Sequence, residues 1–190
     1  MPAIEAVGKP YRNEKKSYDL LKKIIKTYKH KSVMEHVTLS FDVDGCSRLC
    51  LQEWMRHRIA SPTVESTRYT LSKGLLKDVV GDEPLNTAIE RYFVITSPLQ
   101  FNSIRAAIED MLEEQAHGAT ADQLKYYLPE SFRTSFVWTV NARSLENFLQ
   151  LRLARTAHME IRHCAYLLYQ ELHELGIDDL FDIEKQLHEV

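Results

Sequence analysis

The sequence is organised around the stretch RHRIASPTVESTRY, residues 56–69, which combines three arginines and a histidine with several hydroxyl side chains. Pro62 disfavours a helical conformation at Ser61, and the hydroxyl groups can bond local backbone groups, so the stretch is predicted to leave a helix and turn as a loop. Guanidinium groups bind phosphate or carboxylate through two parallel hydrogen bonds and stay charged at any working pH. The pattern favours an anion site over a metal site, although a basic loop can also be a solvated surface.

Composition limits the classes of protein to which the chain can belong. Its 190 residues are 44% hydrophobic with only six glycines and six prolines, which predicts one domain over residues 1–190. A net charge of −3 argues against general affinity for nucleic acid or a membrane surface. The three cysteines suit neither an even disulfide set nor a four-cysteine zinc site, and no signal peptide or membrane-spanning run is present. A soluble cytoplasmic protein is expected.

Hydrophobic periodicity predicts a helix and a strand in the N-terminal part. Apolar residues recur at helical spacing from Lys15 to Lys29, with lysines between them that are expected to face solvent. Residues 1–12 hold no strand-like run, so an opening strand is expected to be shortened. Residues 37–43 alternate as in a half-buried strand, which Asp44-Gly45 is expected to end. A helix from Ser47 then leads into the basic stretch.

A metal site has to be considered in the segment HKSVMEH, where His30 and His36 flank a glutamate. Zinc hydrolases place two histidines one helical turn apart around a glutamate, whereas six residues separate these two and no third ligand is evident nearby. The spacing therefore argues against zinc, and no metal is predicted.

The middle of the chain is predicted to be mainly helical core. Residues 74–83 are expected to form a loop, and two helices then follow, one ending before Pro98 and the next at Gly118. Thr120 and Gln123 fit a capping box for a short helix that carries Lys125.

The C-terminal third is predicted to hold a second strand and a long helix. Residues 132–140 alternate large apolar with polar side chains, and the helix, capped by Asn141 or Ser144, is expected to run until Gly176. Arg152 continues the apolar face of this helix, so it either meets an acid, such as Glu160 or a distant carboxylate, or faces a ligand. These elements predict an α+β domain in which an antiparallel or mixed sheet is flanked by helices.

Three segments resemble the motifs of the flavin-dependent thymidylate synthases. The triplet at 56–58 is followed by seven residues and Ser66, as in the family signature, and Arg68 strengthens the match. The segment HKSVMEH is similar to a second motif, and residues 138–151 are similar to the C-terminal one. The resemblance covers most of the chain beyond His30.

The resemblance implies reductive methylation of dUMP to dTMP, with 5,10-methylenetetrahydrofolate as the carbon donor and FAD that is reduced by NADPH. Classical thymidylate synthases use a cysteine that follows a proline, whereas the cysteines here follow Gly45, Leu49 and His163. Hydride transfer from a reduced flavin to a polarised uracil suits an arginine-lined pocket without a thiolate. The resemblance also implies a homotetramer with active sites shared between subunits.

The family motifs imply which residues bind each ligand. The implied flavin contacts are His30, Ser32, Arg56, His57, Arg58, Val64, Asn141, Arg143 and Asn147. The implied dUMP contacts are Glu53, Arg56, Val64, Glu65, Ser66, Thr67, Arg68, Lys125 and Arg152. Among these, Arg152 is the implied catalytic residue, which polarises the pyrimidine. The phosphate is implied to bind Ser66, Arg68 and Lys125.

Several positions depart from the family pattern. Val64 stands where many members have an acid, and Glu65 is displaced from that position by one residue. Glu53 stands where many have glutamine, and Lys125 offers a point charge in place of an arginine fork. Two alternatives therefore stay open: a relative that binds flavin or nucleotide without turnover, and a non-enzymatic helical module whose arginines only pair with acids.

Overall fold

The computed structural model of the chain describes residues 18–81 and 83–187. The expectation of a shortened opening strand at residues 1–12 lies outside the described residues. The chain forms two compact units. Within the described residues, the first comprises 18–41, Glu53–Pro62 and 138–187, and the second comprises Asp42–Gln52, 63–81 and 83–137.

Helices predominate in both units. The α-helices are α1 (Tyr18–Lys22), α2 (Arg48–Trp54), α3 (Thr67–Tyr69), α4 (Leu76–Val80), α5 (Leu85–Tyr92), α6 (Pro98–Ala116), α7 (Ala121–Leu124), α8 (Ala142–Arg152), α9 (Met159–Glu174) and α10 (Glu184–Leu187). The π-helical turns are Lys23–Thr27 and Thr70–Leu75, and the 3-10 turns are Lys31–His36, Lys125–Tyr127 and Asp178–Leu180. None of the described helices is both long and apolar enough to cross a membrane.

The strands are β1 (Thr38–Ser47), β2 (Ala60–Val64) and β3 (Arg133–Asn141), and they form one sheet in the order β1-β3-β2. The Ser40 and Thr139 hydroxyls bond at 2.8 Å, and the Ser135 hydroxyl donates to the Asp44 carboxylate at 2.5 Å. Because the partner number falls as the number along β1 rises, β1 and β3 are antiparallel. The predicted α+β class is confirmed.

The alternation predicted for β1 and β3 is also confirmed, but the predicted end of β1 was wrong. In β3, Thr134, Phe136, Trp138 and Val140 are all buried. β1 does not end at Asp44-Gly45 but continues to Ser47. Gly45 has a φ of 72°, and its carbonyl accepts a hydrogen bond of 2.9 Å from Arg133, so a kinked glycine is accommodated within the strand.

The basic stretch at residues 56–69 is not the loop that the sequence predicted. Part of it forms β2, which is an edge strand because it pairs only with β3 in the described sheet. A proline is tolerated on an edge strand because its missing N–H need not serve a neighbour. Pro62 thus excludes a helix, as expected, without excluding a strand.

The predicted loop at residues 74–83 is instead mostly helical. The π-helical turn Thr70–Leu75 leads into α4, and Leu71, Leu75 and Leu76 lie in the core of the second unit. Gly74, a loop signal in the sequence, lies where the Tyr92 ring approaches, since an added Cβ would stand 3.1 Å from the Tyr92 hydroxyl. Burial of the leucines therefore outweighs the local preference of the glycine.

A long C-terminal helix, α9, is present as predicted, but the expected unbroken run from Asn141 to Gly176 is divided into α8 and α9. Asn141 caps α8, its side-chain oxygen accepting the Ser144 N–H at 2.8 Å, which resolves the two capping alternatives. α8 ends at Arg152, and α9 begins after His158, whose ring nitrogen accepts the Glu160 N–H at 3.4 Å. By contrast, the capping box of α7 formed by Thr120 and Gln123 is confirmed.

Candidate functional site

A cavity of about 750 Å³ in the first unit brings together residues of the triplet at 56–58 and residues of the C-terminal motif at 138–151. Its lining comes from the segment after α2, from the first 3-10 turn and from one face of α8. The lining residues are Glu35, Arg56, His57, Arg58, Ile59, Asn141, Arg143, Ser144, Asn147, Leu151 and Arg152. Positions 144, 147 and 151 share a face because neighbours on a helix lie three or four residues apart.

Arg152 is the most constrained cation of this cavity. Its Nη1 lies 2.5 Å from a Glu53 carboxylate oxygen, its Nη2 donates to the Glu53 carbonyl at 2.9 Å, and its Nε donates to Nε2 of His57 at 2.9 Å. The side chain is only 13% exposed. A guanidinium has five N–H groups, so two stay without a partner among the described residues and are available to a ligand. Arg152 thus both meets a distant acid, which is not Glu160, and lines the cavity.

His57 is held as a neutral acceptor beneath this arginine. Its ring contacts Phe148 edge to face, with the centroids 4.8 Å apart. Burial and, to a smaller extent, the positive charge of Arg152 together lower the pKa of His57 from 6.5 to about 4, although Glu53 partly opposes both. Because Nε2 accepts the Arg152 bond, a neutral ring fixes the direction of the guanidinium.

The free energy of unfolding is expected to fall as the pH drops from about 6.5 to about 4 because of His57. The folded pKa is below the unfolded one, so the unfolded chain takes up the proton first in that window, and the contribution is fully present only above it. Urea unfolding of wild type and His57→Gln between pH 4 and pH 7.5 measures this, since glutamine can still accept from Arg152. If the free energy of unfolding fell equally with pH in the two proteins, His57 would not be the group responsible.

Glu35 and Arg143 form a second pair in the lining. Their side-chain atoms Oε1 and Nη1 lie 2.5 Å apart, and both side chains are about half exposed. The sequence analysis missed Glu35 as a site residue, together with Ile59, Ser144 and Leu151. The position of Glu35 within the segment HKSVMEH was a signal that could have identified it. Its partner Arg143, however, lies 108 residues away, and hydrophobic periodicity does not reveal such a pairing.

Three implied flavin contacts, His30, Ser32 and Val64, lie outside the lining of this cavity. His30 and Ser32 are exposed at the start of the 3-10 turn Lys31–His36, which packs against α8. Between them, Lys31 reaches Glu146 on α8 at 2.7 Å. The turn is therefore tied to the same helix that carries the lining residues.

In the second unit, Arg68 and Lys125 share one carboxylate. The Nε and Nη2 atoms of Arg68 lie 2.9 and 2.7 Å from the two Asp122 oxygens, a bidentate pair, and Lys125 Nζ lies 3.9 Å from the same side chain. All three side chains are at least one-third exposed. The two cations predicted to receive a phosphate thus converge on a single anion.

Glu65, the acid that lies one residue after the position expected from the family pattern, has a structural role. Glu65 continues the line of β2: its N–H donates to the Ser135 carbonyl at 3.0 Å, and its carboxylate accepts the Ser135 N–H at 2.9 Å. Burial raises the pKa of Glu65, the Ser135 N–H opposes this, and Asp44 adds to the rise. Beside it, Val64 and Ser66 are exposed and Thr67 is half-buried at the start of α3.

Known proteins resemble this chain over most of its length. The family model described as thymidylate synthase complementing protein matches residues 3–175. The flavin-dependent thymidylate synthase of Wolinella succinogenes is 39% identical over 158 residues, which are 83% of this chain and 77% of that protein. That of Helicobacter pylori is 37% identical over 163 residues, with the same two coverages of 83% and 77%.

The fold is similar to that of a solved member. The crystal structure of thymidylate synthase X from Helicobacter pylori with FAD and dUMP matches with a TM-score of 0.80 and 28% identity, over 95% of this chain and 94% of that one. Sequence and fold thus agree with the motifs whose residues line the cavity. The chain belongs to the family of flavin-dependent thymidylate synthases.

Proposed function

We propose that this protein binds FAD and dUMP and methylates dUMP to dTMP. The observation that carries the proposal is that the Arg-His-Arg triplet at 56–58 and the α8 residues from Asn141 to Arg152, more than 80 positions apart, line one cavity. The similar protein from Helicobacter pylori has been crystallised with both ligands. A chance basic surface would not place both motifs in one concave site.

The lining residues fit FAD chemically. Arg56, Arg58 and Arg143 supply guanidinium groups suited to a diphosphate, while Asn141 and Asn147 offer amide donors and acceptors. Ile59 and Leu151 supply apolar area for a planar ring. When bound, the reduced flavin supplies a hydride.

The chain's own contribution to the reaction is to polarise the pyrimidine. Arg152 is held by Glu53 and His57 from two sides, which leaves two N–H groups for the base. A fixed cation in a site that is partly shielded from water stabilises negative charge as it develops, without a cost of reorganisation. Glu53 balances the charge of Arg152 in the absence of substrate, and neutral His57 adds no competing positive charge.

The remaining features follow from family membership. We propose 5,10-methylenetetrahydrofolate as the carbon donor and NADPH as the reductant. We also propose a homotetramer with active sites shared between subunits, a single functional domain and a cytoplasmic location, without nucleic-acid or membrane partners. The presence of three free cysteines, two of them buried, supports a reducing compartment.

FAD binding tests the proposal directly. The purified protein is expected to be yellow, or to take up FAD in a 1:1 ratio per chain with quenching of flavin fluorescence. Under anaerobic conditions, reduced flavin in the protein should then be reoxidised, with dTMP formed, only when dUMP and the folate are both present. A chain that binds no flavin would contradict the proposal, and one that binds flavin without forming dTMP would favour the relative that lacks turnover.

Asp122→Asn is expected to lower the Kd for dUMP by up to about fivefold, because the phosphate has to replace the Asp122 carboxylate on Arg68 and Lys125. An exposed ion pair contributes roughly 0.2–1 kcal/mol, which sets this size. The measurement is dUMP titration by calorimetry at fixed low salt. Asp110→Asn, an exposed acid on α6, is the matched control for the change in net charge. Weaker binding by Asp122→Asn would show that the acid supports the phosphate site instead.

A further inference from the structure

Asp182 uses every polar atom it has to bind other elements of the first unit. Its N–H donates to Glu146 at 2.8 Å and its carbonyl accepts from Gln150 at 2.8 Å, so two residues one turn apart on α8 hold its backbone. Its carboxylate lies 2.8 Å from both Lys26 and Lys31, and 3.4 Å from Lys29.

The surroundings of Asp182 make these bonds strong. Leu180, Phe181 and Ile183 are buried on either side of it, and Glu146 is only 5% exposed. Burial opposes ionisation of Asp182, but hydrogen bonds from Lys26 and Lys31 outweigh it and hold the pKa of the carboxyl well below its usual range. Asp182 therefore stays charged at any working pH. We call residues 180–183 the C-terminal clasp.

The clasp joins two segments that are implied to contact flavin. Lys31, which bonds both Asp182 and Glu146, lies between His30 and Ser32. Glu146 and Gln150 flank Asn147 on α8, which lines the cavity. Asp182 thus adds a further link between the 3-10 turn and the helix, beside the direct Lys31–Glu146 and Arg143–Glu35 pairs. The match to the family model ends at residue 175, so the clasp lies beyond the part of the chain that defines the family.

We propose that Asp182 is a positioning residue for flavin binding, acting through Lys31 on the turn at residues 30–32 and through Glu146 and Gln150 on α8. The inference rests on the proposed function, since it requires that these elements bind FAD. It adds a feature that the family motifs do not contain. Removing the clasp should weaken FAD binding and leave the proposed dUMP phosphate site at Arg68 and Lys125, both in the second unit, unaffected.

Asp182→Asn tests the proposal. The change keeps the backbone bonds to α8 but removes the negative charge and one of the two oxygens that bind the lysines, and it should raise the Kd for FAD about tenfold, as for partners that orient ligand-binding groups. Turnover at saturating FAD should stay within about twofold of wild type, with an unchanged KM for dUMP. A change confined to the melting temperature, with wild-type FAD affinity, would overturn the proposal. A wild-type protein that binds no FAD would instead contradict the proposed function itself.

Arg91→Met is the matched control. Arg91, like Lys31, is one cation between two carboxylates, those of Asp78 and Glu83, but it lies in the second unit. The Arg91→Met variant should have a lower melting temperature and an unchanged Kd for FAD. If Asp182→Asn does not fold, Gln150→Met carries the test, because it removes only the bond to the Asp182 carbonyl. Gln150→Met should raise the Kd for FAD about threefold, and an unchanged Kd in that variant would overturn the proposal.

Discussion

Arg152→Lys is expected to lower kcat by about 100- to 1000-fold while FAD stays bound, the size found when one positioned donor is lost at a site of developing charge. The Arg152 fork bonds in three directions, to the Glu53 carboxylate, the Glu53 carbonyl and the His57 ring. A lysine has three N–H groups on one atom, so it cannot make these bonds and also present two donors to the base.

Single-turnover reoxidation of the reduced flavin, together with the melting temperature of the same preparation, measures the Arg152→Lys effect. Arg155→Lys is the control, since Arg155 is exposed just beyond the end of α8 and should keep the wild-type rate. If Arg152 were only a structural ion-pair member, its variant would be less stable but would turn over normally per folded site. That result would refute the catalytic assignment.

Phe148→Ala is expected to cost about 3–5 kcal/mol in the free energy of unfolding. Phe148 is fully buried, stacks on Trp54 with centroids 4.4 Å apart, and lies 4.9 Å from Trp138. The same ring covers His57 at 4.8 Å. Its removal should therefore also raise the pKa of His57 towards the ordinary value, because less of the imidazole would be desolvated.

Urea unfolding measures the stability change in Phe148→Ala, and NMR titration of the imidazole measures the pKa. Tyr126→Ala, an aromatic side chain that is 92% exposed, should change stability by no more than about 0.5 kcal/mol. The loss of stability in Phe148→Leu should lie between those of Phe148→Ala and Tyr126→Ala, since leucine leaves a smaller cavity than alanine. Equal losses for Phe148→Ala and Tyr126→Ala would show that the aromatic cluster does not stabilise the site.

Local signals in the sequence predicted those parts of the fold that depend on near neighbours. The alternation of β3, the capping box at Thr120 and the Asn141 cap require only residues within a few positions of one another. The same holds for the candidate site: Arg56, His57, Asn141, Arg143 and Asn147 were identified from motif resemblance, and they line the cavity.

Features decided by distant partners were missed. Lys22 and Lys26, expected to face solvent, pair with Asp179 and Asp182 more than 150 residues away. The helix at residues 70–80 forms because its leucines are buried by other elements, against the preference of Gly74. The pairing of Arg68 with Asp122 was equally invisible, because a sequence shows which charges exist but not which ones meet.

The edge strand β2 has a consequence for association between molecules. Exposed strand edges invite pairing with another chain, which leads to aggregation. Here Pro62 has no N–H to offer, and just after the strand the Glu65 carboxylate already accepts the Ser135 N–H. A proline and an acid, which in the sequence are parts of a ligand-binding signature, therefore also discourage the sheet from extending into a second molecule.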